Sequence, residues 1–246
     1  MTRWQQQACA ASPKARSRTA GWSSFPRNDV NGPAGGPAAA IPPPPVVGEL
    51  FGRAAPAAQR YVELLAGAGV ERGLLGPREV PRLWTRHVLN CAAVASLVPS
   101  PGTLIDVGSG AGLPGVVLAL LLPEVTVTLL ERMGRRAAFL RECVAELGLA
   151  NASVLQAQAS EVTGKIMADV VTARAVAPLA ELAPLALGLV RPGGLVLAIK
   201  GTSAAAELAA ARPVLRRLRV RDVSIVGAGD DRVGLAATVV RLVAGP

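Results

Sequence analysis

The sequence predicts an α/β fold with a mostly parallel, doubly wound sheet, preceded by an N-terminal helical cap. Three observations indicate it: strand and helix patterns alternate from residue 103, a glycine-rich turn follows the first strand, and no helix separates the last two strands. Alternating strands and helices pack as a parallel sheet covered on both faces, whereas two strands joined by a short turn pair antiparallel. We therefore expect seven strands that end in an antiparallel hairpin.

The N-terminal part of the chain divides into an extension and a helical segment. Residues 1–47 are rich in Pro, Gly, Ala and Ser and include the run Pro42–Pro45, which enforces an extended chain. We expect them to be disordered and place the domain at 48–246, with helices over 48–98 and the α/β core over 103–246. The second helical pattern carries an apolar stripe formed by Leu83, Trp84, Val88, Leu89 and Ala92.

Seven strand patterns and three connecting helix patterns make up the core. The strand patterns cover 103–108, 125–131, 153–158, 169–174, 195–200, 219–227 and 235–243. The helix patterns cover 114–122, 133–147 and 178–190. A Pro-Gly-Gly turn is expected before the fifth strand, and a turn at 228–234 should join the last two strands as a hairpin.

Charge favours a polyanionic partner. Lysine and arginine outnumber aspartate and glutamate by 26 to 17, which gives a formal net charge of +9. RNA, DNA or an anionic membrane surface are the candidate partners, and a general arginine bias of the proteome is the alternative explanation. The longest apolar run, 113–130, contains Pro114, Pro123 and Glu124, so we expect no membrane-spanning helix.

The cysteines indicate neither a metal site nor a disulfide framework. Cys9, Cys91 and Cys143 are odd in number and lack the spacing of zinc ligands. The first 25 residues are basic but have no continuous apolar stretch, so no secretory signal is expected. These observations favour a cytoplasmic protein.

The turn in "LIDVGSGAGLPG", residues 104–115, is the strongest ligand-binding pattern. Its glycines are Gly108, Gly110 and Gly112, with Asp106 two residues before the first. A dinucleotide-binding turn would need glycine where Leu113 stands, and a P-loop would need Gly-Lys-Ser/Thr. Asp-x-Gly-x-Gly-x-Gly after a strand resembles motif I of class I S-adenosylmethionine-dependent methyltransferases, a Rossmann-like fold.

Other positions agree with an adenosine-containing cofactor. Glu131 ends the second strand, 23 residues after Gly108, where an acid can accept hydrogen bonds from both ribose hydroxyls. The methyltransferase resemblance implies that Asp106 orients the methionyl end. It also implies that Ala159 and Ser160, which follow the third strand, border the adenine.

The end of the fourth strand, "VVTARAVAP", contains few groups suited to acid–base or nucleophilic catalysis. It has no Asn/Asp-Pro-Pro-aromatic motif, which argues against exocyclic amines as acceptors, and no nearby cysteine for attack on pyrimidine C5. Guanine N7 has a free lone pair and no proton, so its methylation requires positioning and desolvation rather than a base. Arg174 and Lys200 are candidates to bind a phosphate or the guanine O6 edge; the alternative is that each is a salt-bridged cation at a strand end.

Four blocks, "RLWTRHVLNCA" (82–92), "LIDVGSGAGLPG" (104–115), "TARAV" (172–176) and "LAIKG" (197–201), resemble the glucose-inhibited division protein B family. The resemblance covers about residues 50–243. It implies transfer of a methyl group from S-adenosylmethionine to N7 of one guanine in 16S ribosomal RNA of the small subunit. The family's cofactor-binding positions correspond here to Gly108, Leu113, Ala159, Ser160 and Arg174.

The chain departs from the family pattern at two places. The third-strand block reads Gln158-Ala159-Ser160-Glu161 instead of Arg-Ala-Glu-Glu, which weakens a side-chain contact from Ser160 but not a backbone contact to adenine. Ala236-Ala237-Thr238 replaces a typical Pro-x-Thr at the final hairpin. His87, the only histidine, lies beside an apolar stripe; a structural role or substrate-side positioning are its two interpretations.

Clusters of arginine are candidates for the contact with RNA. The candidates are Arg82, Arg86, Arg135, Arg136, Arg216 and Arg217. Solvated faces are the alternative for each cluster. Together they favour a rim that follows phosphates. The family resemblance implies the small ribosomal subunit as partner, and we expect a monomeric enzyme without metal.

Three other functions remain open at this point. The first is a class I methyltransferase acting on a small molecule or a protein, which the basic charge disfavours. The second is a non-enzymatic RNA- or nucleotide-binding module, which the intact Asp106, glycine turn and Glu131 disfavour. The third is a nicotinamide oxidoreductase, which Leu113 disfavours.

Overall fold

Seven strands form one mixed sheet in the computed structural model, which describes residues 41–229 and 235–246. They are β1 (Gly102–Val107), β2 (Val125–Leu130), β3 (Ala152–Leu155), β4 (Ala168–Arg174), β5 (Val190–Lys200), β6 (Asp222–Ala228) and β7 (Ala237–Val243). The order across the sheet is β3-β2-β1-β4-β5-β7-β6. The first five are parallel and β7 is antiparallel to both β5 and β6, so the predicted fold class and terminal hairpin are confirmed.

Helical segments before the sheet form the predicted cap. They are α1 (Val46–Phe51), α2 (Ala55–Leu64) with a π-helical continuation (Leu65–Gly69), a 3₁₀ segment (Pro77–Arg82), a π-helical segment (Leu83–Val88), α3 (Leu89–Ala92) and a final 3₁₀ turn (Ala93–Leu97). The apolar stripe expected from the sequence is buried throughout. Burial of this stripe against the sheet layer stabilises segments that are too short to persist as isolated helices.

Five helices connect the strands. They are α4 (Gly115–Leu121), α5 (Gly134–Glu146), α6 (Ala159–Val162), α7 (Leu179–Leu187) and α8 (Ala204–Arg217). The cap, α4 and α5 bury their apolar residues against one face of the sheet, and α7 and α8 cover the other face. Leu104 and Ile105 of β1 belong to opposite cores because successive side chains of a strand point to opposite faces.

The packed chain extends further toward the N-terminus than the predicted boundary at residue 48. The Ile41 carbonyl accepts hydrogen bonds from Gln59 Nε2 and Trp84 Nε1, both at 3.3 Å, and Val47 is buried. The rest of the predicted extension, residues 1–40, lies outside the described residues, as do residues 230–234 of the predicted final turn. No helix in the described ranges is both long and apolar enough to cross a bilayer.

The expected Pro-Gly-Gly turn is part of a strand instead. β5 starts at Val190, and its register with β4 shifts between the pairs Ala168–Val190 and Val170–Leu195. Gly193 has a φ of 75°, which lets the chain bulge without leaving the sheet. At Gly194 a Cβ atom would lie 2.6 Å from the carbonyl oxygen of Asp169, so the bulge requires glycine there.

We expect Gly194→Ala to lower the free energy of unfolding by about 1–3 kcal/mol, because the new methyl group overpacks a backbone contact. The control is Gly227→Ala, another strand glycine, where a Cβ would meet nothing within 4 Å. Urea denaturation of both variants measures the difference. Equal stabilities would contradict the tight approach at Gly194.

Candidate active site

Asp106 connects the glycine-rich loop to strand β4. Its Oδ2 accepts a hydrogen bond from the Gly115 amide and its Oδ1 accepts one from Thr172 Oγ1, each at 3.0 Å. The side chain is completely buried, and this burial raises the pKa of the Asp106 carboxyl to about 6 despite these hydrogen bonds. Asp106 therefore ties β1 to the start of α4 and to β4, and it is absent from the linings of the two cavities described below.

The loop itself needs left-handed backbone at each of its alternating glycines. The φ angles are 65° at Gly108, 58° at Gly110 and 99° at Gly112. A Cβ on Gly112 would lie 2.8 Å from the hydroxyl oxygen of Tyr61. That hydroxyl donates a 2.8 Å hydrogen bond to the Ala111 carbonyl, so helix α2 of the cap contacts the loop and stabilises it. The sequence analysis missed Tyr61, because an apolar helical stripe does not reveal which member reaches the loop.

Glu131 lies at the end of β2 with its carboxylate against the same loop. Its Oε2 accepts a 3.0 Å hydrogen bond from the Gly110 amide and its Oε1 accepts a 2.8 Å bond from the Met133 amide. Each carboxylate oxygen has a second lone pair, so both remain able to accept a ligand hydroxyl. The Glu131 carboxylate therefore stabilises the loop and can still accept a hydrogen bond from a ligand.

A first cavity of about 330 Å³ lies over the carboxyl ends of β1, β2 and β3. Gly108, Glu131 and Ala159, which the sequence analysis placed at the cofactor, line it together. The other expected residues lie elsewhere. Gly112 and Leu113 are buried under the loop, Gly110 is half-buried, and Ser160 is exposed on α6, outside the lining residues.

Arg136, a candidate for RNA binding from the sequence, lines this first cavity. Its Nε is buried and has no hydrogen-bond partner among the described residues, although Arg136 lines the cavity wall. The other nitrogens of a guanidinium that lines a cavity can donate to an acceptor of a ligand there. Adenosine has such acceptors on its ring nitrogens and ribose oxygens, so the lining fits the expected cofactor. Arg135, its neighbour on α5, is exposed.

A second cavity of about 700 Å³ lies between the cap and the carboxyl ends of β4 and β5. The cap contributes Thr85, Arg86 and Asn90, and the core contributes Arg174, Ala175, Val176, Ala177, Pro178, Ile199, Lys200, Gly201, Ser203 and Glu207. Ala175 and Val176 line both cavities and form the wall between them. Ala175 has a φ of 53°, which is strained for a residue with a Cβ and is typical of functional sites.

Arg174 is held by the cap. Its Nη1 donates to Cys91 Sγ at 3.1 Å, and its Nη2 donates to the Arg86 carbonyl at 3.2 Å and to His87 Nδ1 at 2.9 Å. The other ring nitrogen of His87 lies 2.8 Å from Glu79 Oε2. Burial and the Arg174 charge lower the pKa of His87, and Glu79 opposes this. The sequence analysis did not single out Glu79.

Lys200 has a structural partner. Its Nζ donates to the Ala177 carbonyl and forms an ion pair with Glu207 Oε2, each at 2.8 Å. Glu207 also accepts from the Leu179 amide and from Ser203 Oγ, and the Lys200 contact is the main reason that the pKa of Glu207 is lowered. Lys200 therefore fixes the segment 175–178, as in the alternative interpretation of a paired strand-end cation.

The remaining arginine candidates separate into two regions. Arg82 and Arg86 are exposed on the cap, and Arg86 lines the second cavity. Arg216 and Arg217 are exposed at the far end of α8, whose first turns contribute Glu207 to the cavity. Since a helix rises 1.5 Å per residue, this second pair lies roughly 15 Å along the helix from the cavity. Whether the two pairs contact the same RNA stays a prediction.

Comparison with known proteins identifies close relatives. A model of the GidB family, described as rRNA small subunit methyltransferase G, matches residues 54–234. The chain is 56% identical over 194 residues to the ribosomal RNA small subunit methyltransferase G of Thermobifida fusca, covering 79% of this chain and 82% of that protein. With the protein of the same name from Streptomyces avermitilis the identity is 50% over 210 residues, covering 85% and 88%.

A solved structure supports the fold. The S-adenosylmethionine-dependent methyltransferase SibL, in its apo form, superposes with a TM-score of 0.55 at 22% identity, covering 76% of this chain and 62% of that one. At this identity the likeness is one of fold.

We expect Asp106→Asn to gain stability relative to the wild type as the pH rises from 4 to 8, because the buried carboxylate becomes ionised and asparagine stays neutral. A carboxyl whose folded pKa is raised destabilises the protein as the pH rises from its unfolded pKa, near 4, through its folded pKa. The difference in stability between variant and wild type should change by an amount on the order of 3 kcal/mol between the two pH values, whatever hydrogen bond the asparagine loses at both. Urea denaturation at both values measures it; an equal difference at both would contradict the ionisation account.

We expect Arg136→Ala to weaken binding of S-adenosylmethionine and S-adenosylhomocysteine about tenfold, because the ligand loses a charge-assisted hydrogen bond. Calorimetric titration measures the affinity, and Arg135→Ala on the same helix is the matched control. Unchanged affinity in Arg136→Ala would mean that the guanidinium does not contact the cofactor.

Proposed function

The chain belongs to the GidB family, and on that basis we propose that it transfers a methyl group from S-adenosylmethionine to N7 of a guanine in 16S ribosomal RNA of the small subunit. The observation that carries the transfer is the pair of cavities that meet at Ala175 and Val176. A cofactor in one cavity and a base in the other would be neighbours beside these two residues. The methyl group would be transferred there, where the two cavities adjoin.

The first cavity is the cofactor site. S-adenosylmethionine supplies a methyl group on a sulfonium ion, from which a lone pair can displace it. Glu131 would accept hydrogen bonds from the ribose hydroxyls, and the guanidinium of Arg136 would donate to an acceptor of the adenosine. Gly108 permits the close approach of the loop backbone, because a Cβ there would lie 2.9 Å from a methyl group of Val176.

Guanine N7 suits the second cavity because this acceptor needs no general base. Among the described residues that line the cavity, Glu207 is the sole carboxylate, and Lys200, Ser203 and the Leu179 amide occupy it. His87 lies behind Arg174, and both its ring nitrogens have partners. An acceptor that carries a proton would lack a group to remove it, whereas N7 carries none.

Arg174 is the residue that would orient the base. A guanidinium has five N–H donors, and the contacts within the described chain use three of them. The Nε and one Nη1 hydrogen remain for an acceptor in the cavity that Arg174 lines. The O6 atom of guanine is such an acceptor and neighbours N7 on the same edge of the base.

RNA would approach from the side of the cap. Arg86 lines the cavity and Arg82 is exposed nearby, so both can neutralise phosphates next to the target guanine. A single guanine in a folded RNA is selected by its presentation, and we propose that it is unstacked into the cavity. We further propose that the enzyme acts as a monomer in the cytoplasm.

The test is methylation of small ribosomal subunits from a strain that lacks this modification. The purified protein is incubated with methyl-labelled S-adenosylmethionine, and the digested RNA is chromatographed. We expect label in 7-methylguanosine. Label that appears in no RNA, although the cofactor binds, would favour a methyltransferase acting on a small molecule or a protein.

Two matched variants test the direction of RNA approach in the same assay. We expect Arg86→Ala to raise KM for the subunits about tenfold, because one phosphate contact is lost. For the same reason, KM should depend less steeply on the salt concentration. Arg216→Ala removes an equally exposed arginine far from the cavity and should leave both quantities unchanged. The reverse result would place the RNA along α8.

A further inference from the structure

A continuous chain of three side chains connects the surface of the cap to the base cavity. Glu79 comes from the 3₁₀ segment Pro77–Arg82, His87 from the π-helical segment that follows it, and Arg174 from the end of β4. The contacts are 2.8 Å from Glu79 Oε2 to His87 Nε2 and 2.9 Å from His87 Nδ1 to Arg174 Nη2. The imidazole side chain is 10% exposed, so water competes little for these bonds.

The contacts determine which nitrogen of the imidazole carries the proton. A guanidinium has donors and no acceptor, so His87 Nδ1 must accept from Arg174 with a free lone pair. The proton then resides on Nε2, from which it is donated to Glu79. His87 is therefore neutral and in one tautomer, and it transmits the position of Glu79 to Arg174.

The same chain holds the guanidinium in one orientation. Without His87, Nη2 would keep only the 3.2 Å bond to the Arg86 carbonyl, and Nη1 only the contact with Cys91 Sγ. Sulfur is a weak acceptor, so the imidazole supplies the strongest constraint on rotation of the group. Groups that must meet a substrate within a fraction of an ångström depend on such supporting contacts.

We propose that Glu79 and His87 are positioning residues for methyl transfer: they hold the guanidinium of Arg174 at the base cavity. This inference rests on the proposed function, since it assigns Arg174 to the base. Neither residue touches the substrate in this arrangement. Glu79 and His87 act through Arg174, and they couple the cap to the reaction centre.

The arrangement predicts a loss of activity on the acid side. The charged groups that face His87 are Glu79, Arg86 and Arg174. A proton on Nδ1 would place an N–H against the Nη2 hydrogens of Arg174 and break the 2.9 Å bond. Since Arg174 and burial both lower the pKa of His87, this loss occurs below the ordinary titration range of histidine.

Two substitutions at His87 separate positioning from packing. In His87→Asn the side-chain oxygen can accept from Arg174 in place of Nδ1, and it does not titrate. We expect kcat within about threefold of wild type at neutral pH. We also expect no acid limb, that is, no fall of kcat at low pH that depends on His87. In His87→Leu the acceptor is lost, and we expect kcat about 100-fold lower with an unchanged dissociation constant for S-adenosylhomocysteine.

Glu79→Gln keeps an acceptor for Nε2 but removes the charge that favours protonated His87. We expect near-normal kcat at neutral pH and an acid limb displaced to lower pH. The matched control is Glu63→Gln, whose carboxylate pairs with Arg60 on α2. It should change neither quantity. An identical acid limb in Glu79→Gln and wild type would contradict the chain.

Outcomes that overturn the proposal are well defined. A His87→Leu variant that binds the cofactor normally and keeps wild-type kcat would exclude positioning through His87. If the acid limb persists in His87→Asn, it arises from the titration of another group, such as Asp106, whose pKa is raised to about 6. Either result leaves the proposed methylation of RNA standing.

A measurement without turnover separates this proposal from the proposed function. His87 is the only histidine of the chain, so its ¹⁵N resonances are unambiguous. We expect the neutral Nε2–H tautomer at pH 7 and a higher His87 pKa in Arg174→Ala, because a neighbouring cation is removed. The opposite tautomer, or an unchanged pKa, would overturn the chain even if the enzyme methylates RNA.

Discussion

The buried carboxylate of Asp106 is the constraint on which the site depends. It lies at the end of β1, where the chain has placed β2 and β3 on one side and β4 and β5 on the other, and it bonds the first residue of α4 and Thr172 of β4. Ligands of open α/β sheets bind at such a reversal of strand order. By holding the two halves of the sheet together there, Asp106 keeps the glycine loop and the end of β4 in a fixed relation. The positions of the two cavities relative to each other are therefore fixed as well.

The cap completes the site from the opposite side. Tyr61 bonds the carbonyl of Ala111 in the loop, and the segment around His87 holds Arg174. The cofactor cavity is built from core residues, whereas the second cavity takes Thr85, Arg86 and Asn90 from the cap. A change in the cap would therefore alter the base and its orientation more than the cofactor. This division follows from the linings, since cap residues line the second cavity and none lines the first.

Local sequence patterns predicted the fold and part of the site, but not the contacts between residues that are distant in the sequence. The seven strands and the glycine turn depend on periodicity and spacing within a few residues, so the sequence indicates them directly. Glu131 is predicted by its position at a strand end, and Ala159 by the resemblance to methyltransferases; both line the first cavity. The pairing of Lys200 with Glu207 and the orphaned Nε of Arg136 depend on how a strand end meets the following helix. The bulge at Gly193 escaped because Pro-Gly-Gly is a turn pattern, which here is overridden by continued pairing with β4 and β7.

Polar burial is concentrated at the functional edge of the sheet. The buried polar or charged residues in the described chain are His87, Asp106, Ser109, Glu131 and Thr172, and all five lie around the glycine loop or the end of β4. Elsewhere the core consists mainly of Ala, Val and Leu, which are sufficient to stabilise the fold. Burying a carboxylate such as Asp106 opposes folding at neutral pH, because burial disfavours its ionised form. The polar residues are therefore best explained by the geometry of the reaction that they maintain.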